Sequence, residues 1–423
     1  MKFLAHLYFV SIFTSIYFYD LEAIDMKAPQ WFSLSIINVV FVLIFLVKSP
    51  RVNILKDISS NLFLKYFSLF FLAASISTLV ALNKIESLVR LTDFFTILMT
   101  LAIGTFILNK KYIKVNFLIT LFTLSLILDV FSCLNLYRIL SVNSDYNYNL
   151  ANEIRGFYGN KNITAAALAF KIPFALQLFF NKKKFYIKAL LLILISLAFF
   201  VIFLLTARAV FVSITLCGLF LTIFSAIGYF LHKNFHYLKP LAYIGPLIIA
   251  LSFFNLVEGN DDSLNIQNRV DLITEGDESI SQRTRFYFHA IEQFSLTPFL
   301  GVGVGNWKIA SIKFDSENIY SYVVPYFAHN DFLEILAETG IIGFIPYFLF
   351  IFFIFKITYH NFKDYLQNGK HFQHLLMTLP LIVYFIDMNL NFPLDRPSMQ
   401  VFLITYIIIL QLYQKNEIRV EKP

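Results

Sequence analysis

The sequence predicts an all-α integral membrane protein, with about twelve transmembrane helices and one large, partly helical loop outside the membrane. Composition carries most of that reading: of 423 residues, 58% are hydrophobic and 14% charged, and mean hydropathy is +0.68. Soluble chains carry roughly 25% charged and 45–50% apolar residues, which excludes disordered, collagen-like and soluble globular classes. Fifty-one Phe and 23 Tyr bring the aromatic share to 18%, too apolar for a water-facing surface. The third observation is the recurrence of apolar runs of spanning length, each needing about 20 residues. The net charge of +7 fits basic residues held on the cytoplasmic side and is no sign of nucleic-acid binding. Cys133 and Cys217 both lie in apolar stretches, so no disulfide framework is expected.

In chain order the apolar runs are Phe3–Tyr19, Trp31–Val47, Asn61–Leu82, Glu86–Leu108, Val115–Ser132 and Asn162–Phe180. Ile187–Leu205, Ala207–Leu231, Pro240–Val257, Ile341–Phe355, Leu375–Met388 and Ser398–Tyr413 follow. Two boundaries are the least marked: the very short link at Thr206–Ala207 and the shortened run before Asn389. The first run has no small-residue cleavage site and reads as an uncleaved span. Basic clusters such as Lys110/Lys111/Lys114 and Lys182/Lys183/Lys184 fall on every second connection. Acidic or long connections fall on the others, so twelve spans with both termini cytoplasmic satisfy the positive-inside rule. The expected division is 1–257 (nine spans), 258–340 (large outer loop), 341–413 (three spans) and 414–423 (cytoplasmic tail).

The stretch Glu258–Ala328 is the one large polar piece, with acids outnumbering bases two to one. Within it Ser281–Leu296 reads as a helix with Phe286, Ile291 and Phe294 near one face and Pro298 after its end. Gly301-Val302-Gly303-Val304-Gly305-Asn306 is turn-rich; with no preceding strand it does not read as a dinucleotide loop. Inside the spans, Arg90 and Asp93 are three apart on one face and can pair. Lys171, Asp129 and Asp387 are costly against lipid and are expected to face the bundle interior.

Under this topology five polar groups share the outer face. They are Arg155 with Gly156–Asn162, Arg208, Arg283 with Arg285, His329-Asn330, and the turn bearing Asn389, Asn391 and Arg396. Arginine keeps its charge and its planar fork matches phosphate oxygens; histidine shuttles a proton near neutrality. Together they suit an anionic, lipid-linked substrate. Taken singly, Arg208 also reads as an interfacial snorkel and His329 as an inert loop histidine. Nothing clusters like a metal site.

Ser281-Gln-Arg283-x3-Tyr287, Pro298-x2-Gly301-Val-Gly303-Val-Gly305-Asn306 and Ala328-His329-Asn330-Asp-Phe-Leu-Glu334-x3-Glu338-Thr-Gly340-x2-Gly343 resemble the signature of the O-antigen ligase / O-antigen polymerase superfamily. Gly159-Asn160-Lys161-Asn162 and Leu205-Thr206-Ala207-Arg208-Ala209 resemble its "GNPN" and "TxSRG" patches, with Lys161 in place of Pro and Ala207 in place of Ser. Tyr287 stands where Trp is common. The resemblance is dense from Arg155 to Gly343.

The resemblance implies a metal-independent, cofactor-free bacterial inner-membrane glycosyltransferase with its active site facing the periplasm. The donor would be an undecaprenyl-diphosphate-linked glycan and the acceptor lipid A-core or another glycan, with membrane lipid around it and no nucleic acid. By position Arg208 and Arg283 would hold the diphosphate and His329 would take or orient the acceptor proton. Arg155, Asn162, Arg285, Asn330 and Arg396 are secondary candidates; Glu338 would orient a group or lie on a helix surface. Ligation of a lipid-linked O-antigen leads. Polymerisation and transfer to protein hydroxyls share the same donor and base. A polysaccharide-lipid transporter would need paired broken spans and internal symmetry, which the sequence lacks.

Overall fold

The computed structural model describes residues 1–18, 25–48, 60–142, 146–257, 278–318, 325–368 and 372–420. Among these the regular structure is helical, with no strand. In order the helices are α1 (Lys2–Ser15), α2 (Ala28–Lys48), α3 (Leu62–Ser77), α4 (Lys84–Asn109), α5 (Val115–Leu140) and the short α6 (Tyr148–Glu153). Next come α7 (Lys161–Asn181), α8 (Phe185–Leu205), α9 (Arg208–His232) and α10 (Ile244–Val257). Then follow α11 (Glu278–Leu296), α12 (Trp307–Asp315), α13 (Asp331–Asn368), α14 (Phe372–Leu376), α15 (Leu379–Leu390) and α16 (Pro397–Val420). Residues 258–277 and 319–324 of the outer loop, and Asp20, Glu22, Arg51 and Lys56, lie outside the described residues.

Ten helices among the described residues are long and apolar enough to cross a membrane. Two of the twelve expected runs form shorter helices. α1 has 14 residues and α15 has 12. At 1.5 Å per residue these reach only about 21 and 18 Å, against a hydrocarbon core of about 30 Å. α14 leads into α15 through a turn at Met377 and Thr378, where the Met377 amide still bonds the Gln373 carbonyl at 3.0 Å. The short link at Thr206–Ala207 does separate two helices. Thr206 takes a left-handed conformation (φ 49°), and α9 starts two residues later at Arg208.

α7 is the innermost helix, with every residue from Ile163 to Leu178 buried. Its partner in the interior is α16, buried at every residue from Pro397 to Leu410. Phe122 and Phe174 stack at 4.0 Å, and Phe170 and Phe402 at 6.1 Å, locking α5, α7 and α16 together. Lys171 and Asp129 face the interior as expected and form an ion pair there, and the Tyr158 hydroxyl donates to Asp129 at 2.7 Å. Outside this interior, side chains such as Val39, Phe131, Ile193 and Ile248 are more than half exposed. A coat of that size is an aggregation liability in water but is satisfied by lipid tails.

Asparagine side chains start several helices: Asn61, Asn83 and Asn160 each accept two amide N–H groups of the first turn of α3, α4 and α7. The glycine-rich loop is a docking element. Gly303 (φ 92°) lies against Ala81, where a Cβ would come within 2.4 Å of the Ala81 Cβ. Asn306 exchanges hydrogen bonds with the Asn83 backbone and donates to Ser87 Oγ at 2.8 Å, pinning this loop to the α3–α4 turn.

In α11 the packed face is Phe286, Ala290 and Gln293, whereas Ile291 is 46% exposed, contrary to the face read from sequence. The helix meets α12 and α13 along that stripe, an i, i+4, i+7 pattern. α13 breaks at Gly340 (φ 59°, ψ −165°), where a Cβ would come within 2.3 Å of the Phe299 backbone. Only glycine fits such a place.

Candidate functional site

One end of the bundle gathers the start of α4, the α7 start, the α8–α9 turn, α11, the segment before α13 and the α15–α16 turn. His329 sits in that segment with φ 56°, the left-handed region that a β-carbon disfavours. The loop is fixed on both sides. The Ala328 amide donates to Glu334 Oε2 at 2.8 Å, and Asn330 Oδ1 caps α13 through the Phe332 and Leu333 amides. The His329 ring lies beside Phe286 (6.4 Å between centroids) and edge-on to Phe392 (5.2 Å).

Tyr287 ties this loop to the α15–α16 turn. Its single hydroxyl proton is shared between the carbonyls of His329 (3.1 Å) and Asn389 (2.6 Å). Asn330 Nδ2 adds a bond to Asn389 Oδ1 at 3.3 Å. Arg283 lies one turn before Tyr287, so the two share a face of α11. Burial first, and then repulsion by Arg208, pull the Arg283 guanidinium below the usual arginine range, although Tyr287 opposes them. Among the described residues no carboxylate pairs with Arg283.

Burial drives the His329 pKa down to about 4, and the neighbouring charge of Arg283 pushes it the same way. The Leu390 carbonyl lies against the ring and opposes both. Thus Arg208, Arg283 and His329, from three separate segments, stand within electrostatic range in sequence: Arg208 with Arg283, and Arg283 with His329. His329 Nδ1 is buried and makes no hydrogen bond among the described residues.

The secondary residues divide. Lys161 Nζ reaches Thr206 Oγ1 at 3.4 Å, which brings the Gly159–Asn162 patch, Asn162 included, to the turn that presents Arg208. Arg396 is half-buried with its guanidinium 4.8 Å from the Phe392 ring that His329 also meets, and its charge couples to Asp395 and Asp387. Arg285 points away from the site into an ion pair with Asp315 (2.5 Å) between α11 and α12. Arg155 is exposed and paired with Glu153 at 3.0 Å. Glu338 is neither on a helix surface nor in the His329 loop: it is buried, and its Oε1 accepts the Trp307 amide at 2.9 Å.

Sequence reasoning missed two features. Tyr287 was noted only as a family variant; its spacing of four from Arg283 was the available signal. An ion network around Asp395 joins Lys27 and Arg90 (3.0 Å) from the far N-terminal half. No local pattern announces such contacts. Among the described residues no group of three or more His, Cys, Asp or Glu side chains converges as a metal site.

Fold and site together define a polytopic, all-helical membrane protein with a pair of repelling guanidiniums beside an uncharged histidine. A family model described as O-Antigen ligase matches residues 189–348, the stretch that holds Arg208, Arg283 and His329. Over that stretch the chain is similar to the O-antigen ligase family. No curated protein matches the sequence.

Proposed function

We propose that this protein transfers a glycan from undecaprenyl diphosphate to an acceptor hydroxyl, with ligation of a lipid-linked O-antigen to lipid A-core as the leading reaction. The observation that supports it is the convergence of Arg208, Arg283 and His329 at one end of the bundle. The planar guanidinium forks of Arg208 and Arg283 suit the oxygens of a diphosphate.

In this scheme the acceptor oxygen forms a bond to the anomeric carbon as the bond from that carbon to the diphosphate breaks. The diphosphate leaves with the electron pair, and the guanidiniums of Arg208 and Arg283 stabilise its growing negative charge. The acceptor proton passes to the imidazole of His329. Donor binding assists that transfer, because a bound diphosphate offsets the Arg283 charge that lowers the basicity of His329.

Sidedness follows from charge. Lys110/Lys111/Lys114 after α4 and Lys182/Lys183/Lys184 after α7 lie at the opposite end of their helices from the site. By the positive-inside rule the site then faces the periplasm of the inner membrane, with both termini cytoplasmic. The test is the surface-glycan profile of a deletion strain beside its complemented strain. Ligation predicts unmodified lipid A-core together with full-length polymer retained on its carrier. Single repeat units reaching the core without a ladder would replace ligation with polymerisation.

A further inference from the structure

Beside the His329 loop lies a cavity of about 350 Å³ between α2, the start of α4 and the segments leading into α12 and α13. It stands at the lower end of the roughly 300–1,000 Å³ range of ligand pockets, room for a sugar ring and not for a lipid chain. Six carboxylates and three cations line it. Each cation is held by a carboxylate: Lys27 by Asp395, Arg90 by Asp395 and Asp93 (3.0 and 3.4 Å), Lys308 by Glu86 (2.5 Å). This ion network faces open space, so donors and acceptors are fixed in position before any ligand arrives.

The rest of the lining is aromatic, with Trp31, Phe32 and Phe327 among it. Phe327 stacks on Phe392 at 4.0 Å, and Phe392 meets His329 edge-on at 5.2 Å. Two rings, Phe327 and then Phe392, therefore separate the cavity from the histidine. Carboxylates accept from sugar hydroxyls, lysine and arginine donate to them, and flat rings cover the C–H faces of a pyranose. The three cations in the wall are each already paired with a carboxylate, so the cavity offers a phosphate no unpaired cation.

We propose that this cavity is a carbohydrate subsite, holding an unphosphorylated, hydroxyl-rich sugar next to the one that reacts. This rests on the glycosyl-transfer reading above. The two substrate chemistries are thereby sorted by charge: the diphosphate to the cationic pair, a sugar to the acid-rich cavity. That sugar belongs either to the donor glycan or to the acceptor glycan.

The test uses full-length purified protein, whose two tryptophans include Trp31 in the cavity wall. Trp31-dependent fluorescence, taken as wild type minus Trp31→Phe, is titrated with oligosaccharide released from the lipid-linked donor and, separately, from the acceptor. One of the two should give a saturable change, and which one identifies the source. Thr92→Phe, which fills the cavity from an exposed position, and Asp93→Asn should each weaken it about tenfold or more. Binding of undecaprenyl diphosphate should stay within about twofold in both variants. No change with either oligosaccharide, or wild-type affinity in Thr92→Phe, overturns the subsite. Failure of the transfer reading shows separately, as no glycan transfer by the wild-type protein, whatever the fluorescence does.

Discussion

The Tyr287 hydroxyl donates to the backbone carbonyl of His329 at 3.1 Å, fixing a histidine whose own backbone is in the left-handed region. Left-handed backbone at a non-glycine residue costs on the order of 1–3 kcal/mol and persists only where its surroundings impose it. Here the imposing contacts are Tyr287, the Asn330 cap and the Glu334 bond to Ala328. Tyr287→Phe should therefore lower kcat by about tenfold with little change in donor KM, the pattern of a displaced catalytic group. Tyr287→Trp, which restores an N–H donor, should recover part of that loss. Equal kcat in Tyr287→Phe and the wild type would remove the positioning role.

Activity should be nearly independent of pH across the neutral range and fall as pH drops toward 4, where His329 gains its proton. Arg283→Gln removes the neighbouring charge and should move that fall to higher pH, though burial keeps it below the ordinary histidine value. Stability follows the same sign. The unfolded chain binds this proton near 6.5 and the folded chain only near 4, so lowering pH through that window destabilises the fold. A pH–rate profile of Arg283→Gln superimposable on the wild type would separate the two residues.

Arg208→Lys and Arg283→Lys should each weaken undecaprenyl diphosphate binding by about tenfold, since lysine keeps the charge and loses the two-pronged geometry. Titration calorimetry on purified protein reads this directly. Unchanged affinity in both variants would move the diphosphate elsewhere.

The Lys171–Asp129 pair is structural in this account. Removing one partner, as in Asp129→Leu, should cost about 3–5 kcal/mol, because it strands a buried charge. The double variant Asp129→Leu/Lys171→Met should recover most of that stability, measured as Tm in detergent. If the double variant is folded yet inactive, the pair takes part in the reaction.

Gly303→Ala should lower Tm and slow transfer, because its Cβ would meet Ala81 at 2.4 Å while φ stays at 92°. Asn306→Ala should weaken the same dock by about 2–4 kcal/mol, since several buried partners lose their bonds together. Wild-type Tm in both would show the loop to be a passive connection.

Much of the fold was legible because helix-length apolar runs and alternating basic loops are local signals. Arg90 with Asp93, Lys171 buried with Asp129 and the divergence of Arg283 from Arg285 all follow from spacing on one helix or from the cost of charge in lipid. What sequence could not show depends on packing between distant segments. Arg90 sits closer to Asp395 than to Asp93, although 305 positions separate Arg90 from Asp395. Glu338 was read as exposed or orienting because nothing local reveals that the Trp307 amide needs its carboxylate. The face of α11 was misjudged by one residue, since Ala290 rather than Ile291 meets the neighbouring helices.

The most direct test of the central assignment is single-turnover transfer by His329→Ala, measured with undecaprenyl diphosphate binding on the same preparation. The account predicts binding within about twofold of wild type and transfer slowed by roughly 10²–10⁴-fold. Transfer at a near-normal rate, with binding intact, would contradict it.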